Sequence, residues 1–167
     1  TPMPAAISSD CFAVSSGSLP NGLTLVGGTG VLSGAPTAAG PFNFEITATD
    51  ATGCSGTAIY FVNICDTITV SPAGPALTGG VVGTPYAGVT FSAAPAGTYT
   101  FSVTGGALPS GLTLNPTSGA LSGTPTASGS FGFTITATGA GGCAGSKAYT
   151  LAVTVQSRVA GLVTIGP

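Results

Sequence analysis

The stretch Leu19–Thr37, LPNGLTLVGGTGVLSGAPT, returns at Leu108–Thr126 as LPSGLTLNPTSGALSGTPT. The match runs without a gap over residues 11–65 and 100–154 at a fixed offset of 89, with roughly half of the aligned residues identical. Self-similarity at a fixed period means one supersecondary unit used twice, so it constrains the fold before any residue is read singly. Whatever one copy forms, the other must be able to form.

Inside the repeat the hydrophobic period is two. Phe131, Phe133, Ile135 and Ala137 alternate with Gly132, Thr134, Thr136 and Thr138; the earlier copy sets Phe42, Phe44, Ile46 and Ala48 against Asn43, Glu45, Thr47 and Thr49. Such alternation is a strand with one face in a core and one in water. Tyr149, Leu151 and Val153 make a second strand, matched by Tyr60, Val62 and Ile64, and Phe101 and Val103 (earlier Phe12 and Val14) mark a third. The shared motif fits between them as a hairpin. Pro109 and Gly111 turn the chain into Leu112–Leu114, Asn115–Gly119 form a turn ending on a left-handed glycine, and Ala120–Leu121 return. No 3.6-residue apolar stripe survives the Gly and Pro spacing. Short strands with turn signals every 8–12 residues predict an all-β chain of sandwich type.

Charge excludes more than it suggests. Of 167 residues only Lys147 and Arg158 are cationic and only Asp10, Glu45, Asp50 and Asp66 acidic, with no His and no Trp. Two cations cannot neutralise a row of phosphates, so nucleic acid is not an expected partner. Disorder is not expected of a chain that is 43% apolar. No apolar run is long enough to span a bilayer and no signal peptide is legible, so the chain reads as a soluble or assembled mature segment without a membrane span. Histidine catalysis is impossible, and a paired-carboxylate mechanism needs two of four scattered acids to converge. Glu45 and Asp50 follow one another along a strand and its exit, and Asp66 belongs to the next repeat. The Gly-Gly pairs precede no helix and cradle no phosphate. Lys147 has only Asn115 and Asp66 as partners for an isopeptide link, and without His or a C-x-x-C pair the cysteines suit zinc poorly. The expected chain is not an enzyme and carries no cofactor. A sugar-binding module would want loop aromatics and carboxylates, whereas Tyr60 and Tyr149 lie in strands.

The string L-P-x-G-L-T-L, then L-S-G-x-P-T, then F-x-F-x-I-T-A-T resembles the immunoglobulin-like tandem repeat of bacterial surface proteins, a cadherin-like sandwich. That resemblance covers residues 66–155 fully and 11–65 partly. It implies an extracellular, cell-surface spacer, stalk or adhesive module and brings no catalytic residues. Calcium, known in related sandwiches, needs clustered carboxylates, and Asp50 has only Gly139 as its counterpart.

The two copies stand in different surroundings. Residues 66–100 precede Phe101 and supply opening strands, with Ile68 and Val70 in one and Val89, Phe91 and Ala93 in the next; eleven residues precede Phe12. Ala5–Ser9 suit the second of these strands, and the first has no counterpart. After residue 156 the chain continues as SRVAGLVTIGP, where Val163, Thr164, Ile165 and Pro167 match Ile68, Thr69, Val70 and Pro72. The expected organisation is an incomplete domain over 1–65, a complete one over 66–156, and a tail over 157–167. The tail, through Val159, Leu162, Val163 and Ile165, is a candidate donor strand for the first domain of the next copy, giving a head-to-tail homopolymer. The alternative is a spacer fragment of a larger surface adhesin or sugar-binding protein. A glycan or receptor partner is not legible.

The cysteines are expected to follow the sandwich. Cys54 and Cys143 share one repeat position. Cys65 stands at the far end of an extended strand from Cys54, about 36 Å away, far beyond the about 7 Å limit of a disulfide. In an immunoglobulin-like sandwich the first strand starts near the loop between the last two, which implies Cys65–Cys143. The same logic leaves Cys54 for Cys11, an expected second bridge.

Overall fold

The computed structural model describes residues 11–156. Among the described residues every regular element is a strand, and the chain divides into two compact units, Thr1–Asp66 and Thr67–Pro167.

In the first unit, β1 (Cys11–Gly17), β4 (Gly40–Thr49) and β5 (Ser55–Ile64) form an antiparallel sheet in the order β1-β4-β5, and β2 (Leu23–Val26) pairs with β3 (Val31–Gly34) as a hairpin. Alternating residues give β4 and β5 their faces. The Phe12 amide donates to the Gly27 carbonyl at 2.7 Å, tying β1 to the hairpin loop.

In the second unit the same five strands recur as β10 (Tyr99–Gly106), β11 (Leu112–Leu114), β12 (Ala120–Gly123), β13 (Gly129–Gly139) and β14 (Ala144–Thr154). The offset of 89 carries over even to irregularities: the register shift between Val14 and Ser16 reappears between Val103 and Gly105. The motif's glycines explain themselves here. Gly111 and Gly123 have φ of +91° and +129°, and a Cβ on either would strike a backbone oxygen, of Thr124 and of Gly111 respectively. Only glycine permits two backbones to lie so close. The Asn115 turn closes as expected, with Gly119 at φ +71° and Asn115 Oδ1 accepting from the Thr117 and Ser118 amides at 3.0 and 2.9 Å.

Four short strands are added before the repeat: β6 (Thr69–Ser71), β7 (Gly80–Val81), β8 (Val89–Thr90) and β9 (Ser92–Ala94). β6 pairs with β9, β8 with β12, and β7 runs parallel to β14 to complete the sheet β10-β13-β14-β7. The second opening strand, expected as one run through Val89, Phe91 and Ala93, is therefore broken at Phe91, whose amide turns to the Gly119 carbonyl at 2.9 Å. The break lets one segment serve two sheets, a corner of the kind that lets sandwiches change layers. Between the layers lies one core made of Val70, Phe91, Leu112, Leu121, Phe101, Phe133, Ile135, Tyr149, Leu151 and their neighbours.

Candidate functional site

Because the two units share one template, each residue of the first can be compared with its counterpart in the second. Tyr149 is 1% exposed and Tyr60 46%; Leu121 is 1% exposed and Leu32 37%. Ile135 and Ala137 are fully buried, whereas Ile46 and Ala48 are only half-buried. Phe44 is a buried residue in the first unit, stacked on Tyr60 with ring centroids 5.8 Å apart. The identical core residues are thus present but largely uncovered.

What covers them in the second unit is β6 and β9. Phe91 lies 5.0 Å from Tyr149, ring to ring. The Tyr149 hydroxyl donates to the Pro72 carbonyl at 3.0 Å, and burial raises its pKa. A Cβ on Gly145 would strike the Ile68 carbonyl, so β14 carries glycine where the opening strand crosses it. The counterpart, Gly56, meets nothing within 4 Å among the described residues. In place of the covering strands the first unit has a cleft of about 320 Å³ lined by Phe12, Gly30, Ile46, Ala48, Gly56 and Tyr60. Thr57 and Ala58 complete its lining, which is drawn mainly from β4 and β5.

The edge of the sheet repeats the contrast. β14 is flanked by β13 on one side, while on the other its Thr150 amide donates to the Pro75 carbonyl at 2.8 Å and its carbonyl accepts from Leu77 at 3.0 Å. Among the described residues, β4 is the single strand partner of β5. β5 also exposes Ile59 and Phe61, the latter 81% exposed. An unpaired edge beside uncovered apolar side chains is the combination that invites strand addition.

The cysteines are placed as follows. Cys65 and Cys143 are disulfide-bonded, and Cys11 and Cys54 are exposed free thiols. The expected Cys11–Cys54 bridge is therefore corrected. Cys11 pairs with Thr49 on β4, and Thr49 pairs in turn with Ser55 on β5, so β4 lies between the two thiols. Two strand spacings amount to about 10 Å, too far for a disulfide. Val159, Leu162, Val163 and Ile165 lie outside the described residues.

Among the described residues the charged side chains do not converge. Glu45 accepts from the Ser15 hydroxyl at 2.8 Å. Asp50 closes its own turn, its Oδ1 accepting from the Thr52 amide, the Thr52 hydroxyl and the Cys54 amide at 2.8, 2.7 and 2.9 Å. The Thr52 hydroxyl above all, then the amides of Cys54 and Thr52, hold the Asp50 carboxyl below its ordinary range. Among the described residues no three His, Cys, Asp or Glu side chains are grouped to hold a metal ion.

Residues 2–64 and 66–154 each match the family described as "Putative Ig domain". The chain belongs to this family. Both Ig domains are also 32% identical over 152 residues, 89% of the chain, to the serine-rich adhesin for platelets of Staphylococcus aureus strains MRSA252 and MSSA476, of whose lengths the chain spans 11% and 6%. Among solved structures, Drosophila N-cadherin EC1-4 aligns over 89% of the chain and 42% of its own, at 14% identity and a TM-score of 0.40. A Bacteroides fragilis protein described as a putative alpha-galactosidase aligns over 52% of the chain and 17% of its own, at 22% identity and a TM-score of 0.45. The Ig-domain assignment rests on the family match and on the strand pairing rather than on these superpositions.

The strand positions of the Ig domains were legible from the repeat; the cleft residues Tyr60 and Gly56 were not recognised as a site. A signal for Gly56 was present. A glycine inside a strand, kept in both copies, marks a place where another backbone comes close.

Proposed function

We propose that the chain is a non-enzymatic structural subunit of an extracellular surface filament, polymerising head-to-tail when the tail strand of one copy fills the open face of another copy's first Ig domain. The observation that carries this reading is the cleft over β4 and β5, whose counterpart in the second domain is occupied by β6 and β9. The candidate donor is the segment holding Val159, Leu162, Val163 and Ile165, which reads in register with the opening strand Ile68–Pro72. Main-chain bonds to an edge would supply affinity, and alternate side chains would set register. A heterologous contact that does not close on itself yields a fibre. The scarcity of charge fits a surface buried against neighbours, because few ions need desolvation.

A second reading is favoured by the adhesin relatives, of which the matching stretch is a small part. There the two Ig domains act as a spacer in a longer cell-surface adhesin, and the open face is filled by a neighbouring repeat.

Val163→Asp with Ile165→Asp in the full chain tests the first reading. Wild type should form filaments visible by electron microscopy and elute at concentration-dependent size, and the double variant should stay monomeric. Identical elution of both, with no filaments from either, would contradict it.

A further inference from the structure

Cys54 stands two residues before Gly56, which lines the cleft, and the repeat suggests what its thiol can be for. Cys54 occupies the turn before β5 as Cys143 occupies the turn before β14. Cys143 is disulfide-bonded, and so is Cys65, which stands three residues ahead of Ile68 at the head of the β6 segment. Two residues beyond Cys143, Gly145 lies against the Ile68 carbonyl. Two residues beyond Cys54, Gly56 meets nothing within 4 Å among the described residues, and Cys54 itself is an exposed free thiol. Among the described residues the first domain thus repeats the turn, the cysteine and the glycine of the second, without a crossing strand and with the thiol free.

We propose that Cys54 is a covalent capture site for an extended segment that carries a cysteine three residues before its first inward-facing apolar residue, the chemistry of Cys65-Asp66-Thr67-Ile68-Thr69-Val70. This rests on the reading of the cleft as a strand acceptor and adds a selection among donors. A cysteine-headed strand is locked to Cys54. The chain's own tail, with Ala160 where Cys65 stands when Val163 is set on Ile68, is held by packing alone and stays exchangeable. Cys11 has no such role: its counterpart is Thr100, and β4 separates it from the turn of Cys54.

The step is thiol–disulfide exchange. The donor arrives with its cysteine in a mixed disulfide with a small thiol. The Cys54 thiolate attacks the donor sulfur, the new S–S bond forms as the old one breaks, and the small thiol leaves with the electron pair and takes up a proton. No net oxidation occurs.

The test uses the full chain bearing Val163→Asp and Ile165→Asp, which leaves the cleft free of tail. The probe is a synthetic peptide of residues 65–72 whose cysteine is a mixed disulfide with thionitrobenzoate, compared with the same peptide carrying Ile68→Asp and Val70→Asp. Docking raises the local concentration of the peptide sulfur, so Cys54 should react at least ~tenfold faster with the native peptide. Cys11 should react with both peptides at one rate, and Cys54→Ser should abolish the difference. Adducts are located by peptide mass mapping. Equal rates at Cys54, or a preference at Cys11, would overturn the proposal. A peptide with Cys65→Ser separates the two levels through amide exchange of β5. If it protects β5 while the rates are equal, capture is wrong and the acceptor cleft stands; if it gives no protection, the acceptor reading fails and capture with it.

Discussion

Asp50 and Thr52 distinguish the turn before β5 from the turn before β14, where Gly139 and Gly141 take their places. The backbone closes both alike: Asp50 donates to the Cys54 carbonyl at 2.9 Å, and Gly139 donates to the Cys143 carbonyl at 2.9 Å. Asp50 adds three bonds to its ionised side chain, with the Thr52 hydroxyl contributing most to its lowered pKa. A carboxylate depressed in the folded state supports the turn above its unfolded pKa, near 3.8, and withdraws that support as pH falls through the lower folded value. Amide exchange at Cys54 should therefore accelerate on acidification below about pH 4 relative to Cys143, beyond the ordinary pH dependence of exchange. Asp50→Ala should remove this acid sensitivity of the Cys54 amide. A Cys54 amide insensitive to acid would show the carboxylate to be idle. From sequence Asp50 reads only as a solvated carboxylate at the exit of a strand, and its three donors are seen in the structure. The error at Cys11 was of another kind. Sequence places Cys11 and Cys54 near the same end of the sheet, but the order β1-β4-β5 puts a strand between them, and no side-chain pattern reports lateral order.

At the scale of the element, β3 and β12 hold the same residue in different company. β12 pairs with both β11 and β8 and buries Leu121, whereas β3 pairs with β2 and leaves Leu32 37% exposed. Leu121→Ala should cost the second domain about 2–5 kcal/mol, the range for a leucine removed from a filled core. Leu32→Ala should cost the first domain less than about 1.5 kcal/mol, since less apolar area leaves water there. Urea denaturation of the Val163→Asp, Ile165→Asp chain, followed by domain-resolved exchange, measures both. Equal costs would mean that the first core is already closed. Period-two alternation of residue types sufficed to place β4, β5, β13 and β14, each ten residues or more long, although burial follows that alternation cleanly in β14 and not in β5, which is exposed along most of its length. It could not place β7, a two-residue strand with no period to read, nor the break at Phe91, where the apolar pattern runs on while the hydrogen bonds change sheets.

For the molecule as a whole, one template appears once with its covering strands and once without them among the described residues. The second domain therefore displays the occupant that the first domain's cleft fits: an opening strand crossing Gly145 and capping Tyr149. On the proposed function the tail of another copy takes that place at the cleft, in the register that sets Val163 on Ile68 and hence Ala160 on Cys65. Ala160→Cys converts that register into a covalent readout, because its sulfur should meet Cys54 across the joint. After mild oxidation the variant should run as a ladder of oligomers on non-reducing electrophoresis, with peptide mapping placing the link between position 160 and Cys54. Cys54→Ser should abolish the ladder and Cys11→Ser should leave it. A monomer with position 160 unreacted, a link to Cys54 within one chain, or links joining position 160 to Cys11 or to itself would contradict the account.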